Sequence, residues 1–186
     1  FAKIYASKRF PIFFYDEKAL SLEKYISVVS IEQNTTEYFN MASVCRQQTI
    51  DQRIIAYLKN NHACNVVFLG AGLETAYYRI GNKTAHFYQV DLENVIAIRK
   101  KFFGHGENEK LVACDMFTLE WIKEMDTSLN TILVVAGVFQ YFTHEKIVAF
   151  IHQIQNKIPK CEMVFDATNT VGLKYANKFV RRTGNT

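Results

Sequence analysis

Five short apolar runs, at residues 65–69, 86–90, 111–114, 131–136 and 163–167, alternate along this chain with stretches of helical periodicity. Runs of this length, rich in β-branched and aromatic residues, read as strands buried on both faces, as parallel strands beneath helices are. Helices are expected between them at 73–80, 92–103, 119–125 and 145–158, with Thr143 as an N-cap and Pro159 as a stop for the last. This order implies an α/β fold with a doubly wound, mainly parallel, Rossmann-like sheet. Right-handed crossovers then bring the C-terminal ends of all strands to one edge, where ligands bind at the switch point.

Ahead of this core, residues 16–60 repeat Tyr38, Phe39, Ala42, Cys45, Ile50, Ile54, Tyr57 and Leu58 at spacings of mostly three to five, which predicts an all-helical preface. The 186 residues, 49% of them hydrophobic, suit one domain: a preface or lid over 1–62 and a core over 63–186. The chain begins on Phe1 and ends soon after the fifth run, which leaves room for further C-terminal strands of such a fold outside it. No apolar run is long enough for a membrane span and no leader pattern opens the chain, so it reads as soluble and cytoplasmic. Cys45, Cys64, Cys114 and Cys161 form no CxxC or Cys/His cluster, and are expected to be buried reduced thiols, not zinc ligands or disulfides. The net charge of +4 comes from scattered Lys and Arg, without the basic stripe that marks a nucleic-acid partner.

The first run ends in Val66-Val67-Phe68-Leu69 and passes into Gly70-Ala71-Gly72-Leu73-Glu74-Thr75. Glycines there let the backbone turn sharply and let a ligand approach the main chain where a Cβ would clash. The second run ends in Val90-Asp91, which sets a carboxylate at a strand tip about 20 residues after the first glycine, the spacing that reaches a ribose diol. The bland alternative is a glycine strand terminator with Asp91 capping the helix from Leu92. Dinucleotides and S-adenosylmethionine share this geometry, and Thr75 argues against NAD, because a dinucleotide fingerprint wants Gly or Ala there. The third run ends in Cys114-Asp115-Met116-Phe117, offering a carboxylate to an adenine amino group and apolar neighbours to its ring.

At these residues the chain resembles the leucine carboxyl methyltransferase family, with its bacterial relatives that O-methylate small molecules such as polyketides. The resemblance spans 7–167 and rests on Ser7-Lys8-Arg9-Phe10, Tyr15-Asp16, Arg46, Leu69 through Thr75, Tyr88 through Leu92, Ala113 through Met116 and Ala136 through Tyr141. It implies S-adenosylmethionine as cofactor, with Arg46 on the carboxylate of its methionine part, Gly70 at the methionine and ribose, Asp91 on the ribose hydroxyls, and Asp115 with Met116 framing the adenine. Ala71, Gly72, Leu92, Phe117, Ala136 and Gly137 complete the expected cofactor contacts, and no metal is expected. A guanidinium fork matches a carboxylate in two hydrogen bonds whatever the family.

Three positions depart from the pattern. Ala136 stands where the family usually has an acid near the methionine moiety, Glu74 replaces the usual Asp, and Ala76 stands where many bacterial members carry Arg. A bond lost to a charged ammonium weakens binding by about 1–3 kcal/mol, unless a neighbouring residue replaces it. The resemblance implies O-methyl transfer to a small-molecule carboxylate or hydroxyl, with a binding protein of impaired activity, or a protein carboxyl methyltransferase, as alternatives. A carboxylate acceptor needs no general base; for a hydroxyl, His144 is the candidate base, and Tyr141 is a candidate for the acceptor pocket. Phe117, Phe139 or Tyr141 could face the sulfonium by cation–π attraction.

Overall fold

The computed structural model describes residues 1–26, 35–170 and 172. The part of the expected preface at 27–34, and the chain beyond 172, lie outside the described residues. Five strands, β1 (Cys64–Leu69), β2 (His86–Asp91), β3 (Glu109–Ala113), β4 (Asn130–Val135) and β5 (Cys161–Phe165), form one sheet in the order β3-β2-β1-β4-β5. All four pairings are parallel. The order reverses at β1, with β2 on one side and β4 on the other, so the switch point lies between the ends of β1 and β4.

Alternation along the central strands divides the core into two faces. Val67, Leu69, Val90, Leu133 and Val135 pack with Trp121 and with Phe150, Ile154 and Ile158 of the α6 region. Val66, Phe68, Phe87, Ile132 and Val134 pack on the other face with Ile50, Ile54 and Tyr57 of α3 and Ala76 and Tyr77 of α4. Here α3 is Glu37–Asn60, α4 is Ala76–Ile80 and α6 is His144–Lys157, while α5 (Glu93–Phe103) packs against β2 and β3. β1 is buried throughout, but β5 leaves Glu162 and Phe165 exposed and β3 leaves Lys110 and Ala113 exposed, so burial on both faces holds for the inner strands and fails at the edges.

Other expectations need correction. The stretch 119–125 is no α-helix: two 3-10 turns, Met116–Thr118 and Glu120–Glu124, meet at Leu119 in the left-handed region (φ 60°). The buried Trp121 fixes this break by donating its indole N–H to the Met116 carbonyl at 2.9 Å. α4 begins at Ala76, three residues after the expected start, because Leu73 and Glu74 belong to the glycine loop. Within the preface of 1–62, helix also precedes the periodic stretch from 16: α1 (Ala2–Arg9) buries Ile4, Ala6 and Ser7, and Ala6 packs with Phe14 and with Val44 of α3. A short helix, α2 (Glu17–Leu20), follows, N-capped by Asp16, whose Oδ1 accepts the Ala19 N–H at 2.7 Å. Of the four cysteines only Cys64 is buried, and Cys45 is exposed. Among the described residues no helix is long and apolar enough to cross a membrane, and no cluster of His, Cys, Asp and Glu could hold a metal.

Candidate functional site

The glycine loop stands at the switch point, and its conformation uses the glycines. Gly70 and Gly72 both have positive φ (68° and 48°), a region L residues enter at a cost. At Gly70 a Cβ would also lie 2.4 Å from Val138 Cγ2, so the loop after β4 closes directly over it. The strand ends of β1 and β4 therefore meet at Gly70 and Val138. Gly137, also left-handed (φ 71°), precedes that contact.

The N–H groups of Gly70, Ala71, Gly72, Glu74 and Thr75 in this loop are satisfied within the protein. Gly70 and Ala71 donate to the Val90 carbonyl (2.9 and 3.1 Å), Gly72 to Asp91 Oδ2 (2.7 Å), and Glu74 to the Ala71 carbonyl (2.8 Å). Glu74 Oε1 accepts the N–H groups of Thr75 (2.7 Å) and Ala76 (2.8 Å), the first of α4. A loop that cradles phosphate needs free N–H groups and a bare helix N-terminus. Here a carboxylate already holds that position, which disfavours a pyrophosphate independently of the side chain at 75.

Thr75 has a different task. It is buried, donates its hydroxyl to Asp16 Oδ2 at 2.6 Å, and accepts from Arg79 Nη1 (2.8 Å) and Lys3 Nζ (2.9 Å). Arg79 also pairs with Asp16 (2.6 Å), with Glu74 (2.9 Å), and with both oxygens of Asp51 (2.7 and 3.0 Å). Lys3 of α1 reaches Glu74 Oε2 at 3.2 Å. This cluster pins α1, α2 and α3 to the glycine loop. Burial works against the Arg79 charge, but Asp51, Glu74 and Asp16 outweigh it and raise its pKa. For Glu74, burial is likewise outweighed, by Lys3, Arg79 and the Thr75 N–H, and its carboxyl is held down at about 2.

A folded pKa of about 2 against an ordinary 4.5 contributes stability that is complete above pH 4.5 and is lost as the pH falls to about 2. At about 1.4 kcal/mol per unit, the shift amounts to about 3 kcal/mol. Denaturant titrations at stepped pH should show this loss in the parent chain and a shallower dependence over the same window in Glu74→Gln. Equal slopes in the two would contradict the assignment.

The loop is held from its other side by Arg99 of α5, which is wholly buried. Its Nη1 donates to the carbonyls of Glu74 (2.6 Å) and Gly72 (3.3 Å), and its Nη2 pairs with Glu109 Oε1 at 2.9 Å. Glu109 is also held by Gln89 (2.9 Å) and the Gly106 N–H (3.1 Å).

The expected cofactor residues are distributed along the sheet edge. Asp91 joins Gly72 through Oδ2, while Oδ1 accepts the Leu92 N–H at 2.8 Å; the α5 N-cap is Leu92 itself, so Asp91 is not a helix cap. Leu92 is exposed at 53%. Asp115 is exposed after β3, its Oδ1 accepting the Phe117 N–H at 2.9 Å. The Phe117 ring is half-buried against Phe142 (4.6 Å between centroids) and under Lys146 (4.0 Å). Met116, expected beside the adenine, is buried in the core cluster that includes Val90 and Trp121. Phe139 is buried in the same core. Tyr141 is 75% exposed and His144 is exposed at the first turn of α6, as a solvent-facing helix residue would be.

Arg46 projects from α3 to the ends of β4 and β5, where its Nη1 pairs with Asp166 Oδ2 at 2.7 Å. Asp166 Oδ1 accepts the Gly137 N–H at 2.7 Å. Arg46 Nε is buried without a hydrogen-bond partner among the described residues. A cavity of about 300 Å³ lies between preface and strand ends, lined by Ile4, Leu22 and Gln47 on one side and Gly70, Ala71 and Ala136 on the other. Gln47, Asp166, Lys3, Arg79 and Arg99 escaped the sequence reading. For Asp166 a signal existed, since this acid directly follows Met163-Val164-Phe165, although the fifth run was expected to extend through it to 167.

The fold is that of Rossmann-like methyltransferases. It is similar to the plantazolicin methyltransferase BpumL in complex with SAH (TM-score 0.53, 14% identity, covering 96% of this chain and 65% of that one). It is also similar to the magnesium protoporphyrin IX methyltransferase ChlM of Synechocystis PCC 6803 with bound SAH (TM-score 0.51, 13% identity, 90% and 80%). Residues 7–155 match the family described as leucine carboxyl methyltransferase, and the chain belongs to that family. It is 20% identical over 144 residues to the tetracenomycin polyketide synthesis O-methyltransferase TcmP of Streptomyces glaucescens, covering 76% of this chain and 53% of that protein. The chain thus spans about half the length of the curated relative it matches.

Proposed function

We propose that this chain supplies the S-adenosylmethionine-binding part of an O-methyltransferase whose acceptor is a carboxylate or hydroxyl of a small molecule. The observation that carries this reading is the glycine loop, left-handed at Gly70 and Gly72, with the N–H groups of both glycines satisfied internally, and set between Asp91 on one side and the Arg46 region on the other. Such a loop suits a ligand without phosphate that lies along the main chain. Arg46, with a buried and unpartnered Nε, fits the methionine carboxylate. Asp91 retains lone pairs on both oxygens for ribose hydroxyls, and Asp115 Oδ2 is available to the adenine amino group. Membership of the leucine carboxyl methyltransferase family and the distant similarity to TcmP support methyl transfer to oxygen.

When bound, the cofactor's sulfonium carries an activated methyl group. The protein's contribution is to hold an acceptor oxygen in line with it and to exclude water. The cavity walled by Ile4, Leu22 and Ala136 is largely apolar on the preface side, and the Gln47 amide is a polar group there able to orient an acceptor. A carboxylate acceptor is already ionised at neutral pH, so the exposed positions of Tyr141 and His144 are no obstacle to it.

Calorimetric titration of the folded chain with S-adenosylhomocysteine should give saturable binding; a folded chain that takes up none would overturn the reading. Asp91→Asn should weaken that binding by about 10–100-fold, the worth of a hydrogen bond to a charged group. Labelled methyl donor offered with a panel of small carboxylic acids and phenols should yield a methyl ester or ether. Transfer only to a phosphatase catalytic subunit would instead assign a protein acceptor, and binding without any transfer would assign a binding protein.

A further inference from the structure

We propose that Asp166 is the residue that receives the α-ammonium of the cofactor's methionine part, forming with Arg46 a paired receptor for the amino-acid zwitterion. The inference rests on the cofactor reading above. An α-amino acid end carries a carboxylate and an ammonium on one carbon, so a site that binds it needs a cation and an anion side by side. Arg46 and Asp166 are such a pair, 2.7 Å apart at the ends of β4 and β5. The β4 end itself offers no anion, because its next residue is Ala136. In the parallel register Val135 stands opposite Phe165, so the next residues on the two strands are Ala136 and Asp166. The acid missing from one strand is therefore supplied by its neighbour.

The pair keeps capacity for a ligand while it is closed on itself. A carboxylate has about four acceptor positions, and Asp166 has two in use, one by the Gly137 N–H and one by Arg46 Nη1. A guanidinium has five donors, of which Nη1 is engaged and the buried Nε is unpartnered. Neither side chain is sealed off: the Arg46 side chain is 34% and the Asp166 side chain 26% exposed. The Gly137 N–H fixes one oxygen of Asp166, which leaves the carboxylate oriented for an incoming donor before any ligand arrives. Arg46 also lies against Gly137, its guanidinium carbon 3.8 Å from where a Cβ would stand. The three residues thus form one platform at the same strand edge as the Ala136 wall of the cavity.

The test compares four ligands on the whole chain by calorimetry: S-adenosylhomocysteine, its decarboxylated form, its deaminated form, and 5′-methylthioadenosine, which lacks both charged groups. In the parent chain, removal of the ammonium should cost at least about tenfold in affinity. Asp166→Asn should lose about 10–100-fold for S-adenosylhomocysteine and for the decarboxylated form, and bind methylthioadenosine and the deaminated form unchanged. Ala136→Glu added to Asp166→Asn should restore part of the loss. A parent chain that binds the deaminated form as tightly as S-adenosylhomocysteine overturns the assignment, whether or not the variant folds. Equal losses for all four ligands in Asp166→Asn also overturn it, since they would show a structural role alone. A parent chain that binds none of the four refutes the cofactor reading itself.

Discussion

Replacing Arg99 by Leu should cost about 3–5 kcal/mol of folding stability, the usual result of breaking a buried ion pair by removing one partner. Arg99 and Glu109 are both sealed from solvent, and the leucine would leave the Glu109 charge with only Gln89 and the Gly106 N–H. Two carbonyls, of Gly72 and Glu74, would lose their guanidinium donor at the same time. Chemical denaturation should show a midpoint shift of that size. Removing the charge from both partners, in Arg99→Leu with Glu109→Gln, should recover part of it, because no uncompensated ion is then buried. A loss below about 1 kcal/mol in the single variant would mean that water reaches Glu109 and that the pair is not the support described. Because Arg99 holds the loop carbonyls, the folded fraction of the variant should also bind S-adenosylhomocysteine more weakly.

That dependence on Arg99 illustrates which parts of this molecule can be read from a single sequence. The strands were legible because β1, β2 and β4 are short, mostly apolar runs, and the glycine loop because only glycine fits a φ of 68° directly beneath Val138. β3 was misplaced by two residues at its start because Glu109 and Lys110 look polar, and nothing local says that Glu109 is paired with an arginine ten residues earlier. The same limit hid the cluster at the loop. Arg79 meets Asp16 across 63 residues of chain, and Arg46 meets Asp166 across 120. Asp16 and Arg46 carried the family resemblance, but their partners belong to tertiary geometry. The 3-10 turns at 116–124 mimic a helix because a buried Trp121 and apolar neighbours recur at short spacing, while Leu119 in the left-handed region breaks the periodic backbone. Thr75 was read as a negative sign, against a dinucleotide; its positive role, as a hydroxyl joining Asp16, Lys3 and Arg79, required the structure.

Arg79→Met should be the most damaging single change at that cluster, and its effect should depend on pH in the opposite sense to the parent chain. Arg79 faces three carboxylates, Asp16, Asp51 and Glu74, whose side chains are 0%, 14% and 13% exposed. Without it Lys3 alone remains, paired with Glu74 and acting on Asp51 only at longer range. At neutral pH the loss should be about 3–5 kcal/mol, since uncompensated buried charge outweighs the removed attraction. In the parent chain, Glu74 gives up its stabilisation as the pH falls from 4.5 to about 2. In the variant Asp51 and Glu74 lose the Arg79 charge that opposes their burial, which already raises Asp51 in the parent chain, so both take up protons more readily and acid should relieve part of the defect. Denaturant midpoints measured at pH 7 and near pH 5 should therefore converge between the two proteins. A gap that is constant over this range would show that Arg79 acts by packing against Phe14, 5.2 Å from its ring, and not by charge. Because the same cluster ties α1, α2 and α3 to Glu74 and Thr75, the variant should also separate the roles of the two layers: weakened docking of the preface exposes the cavity wall formed by Ile4 and Leu22, while the strand ends that carry Asp91 and Asp115 remain in place.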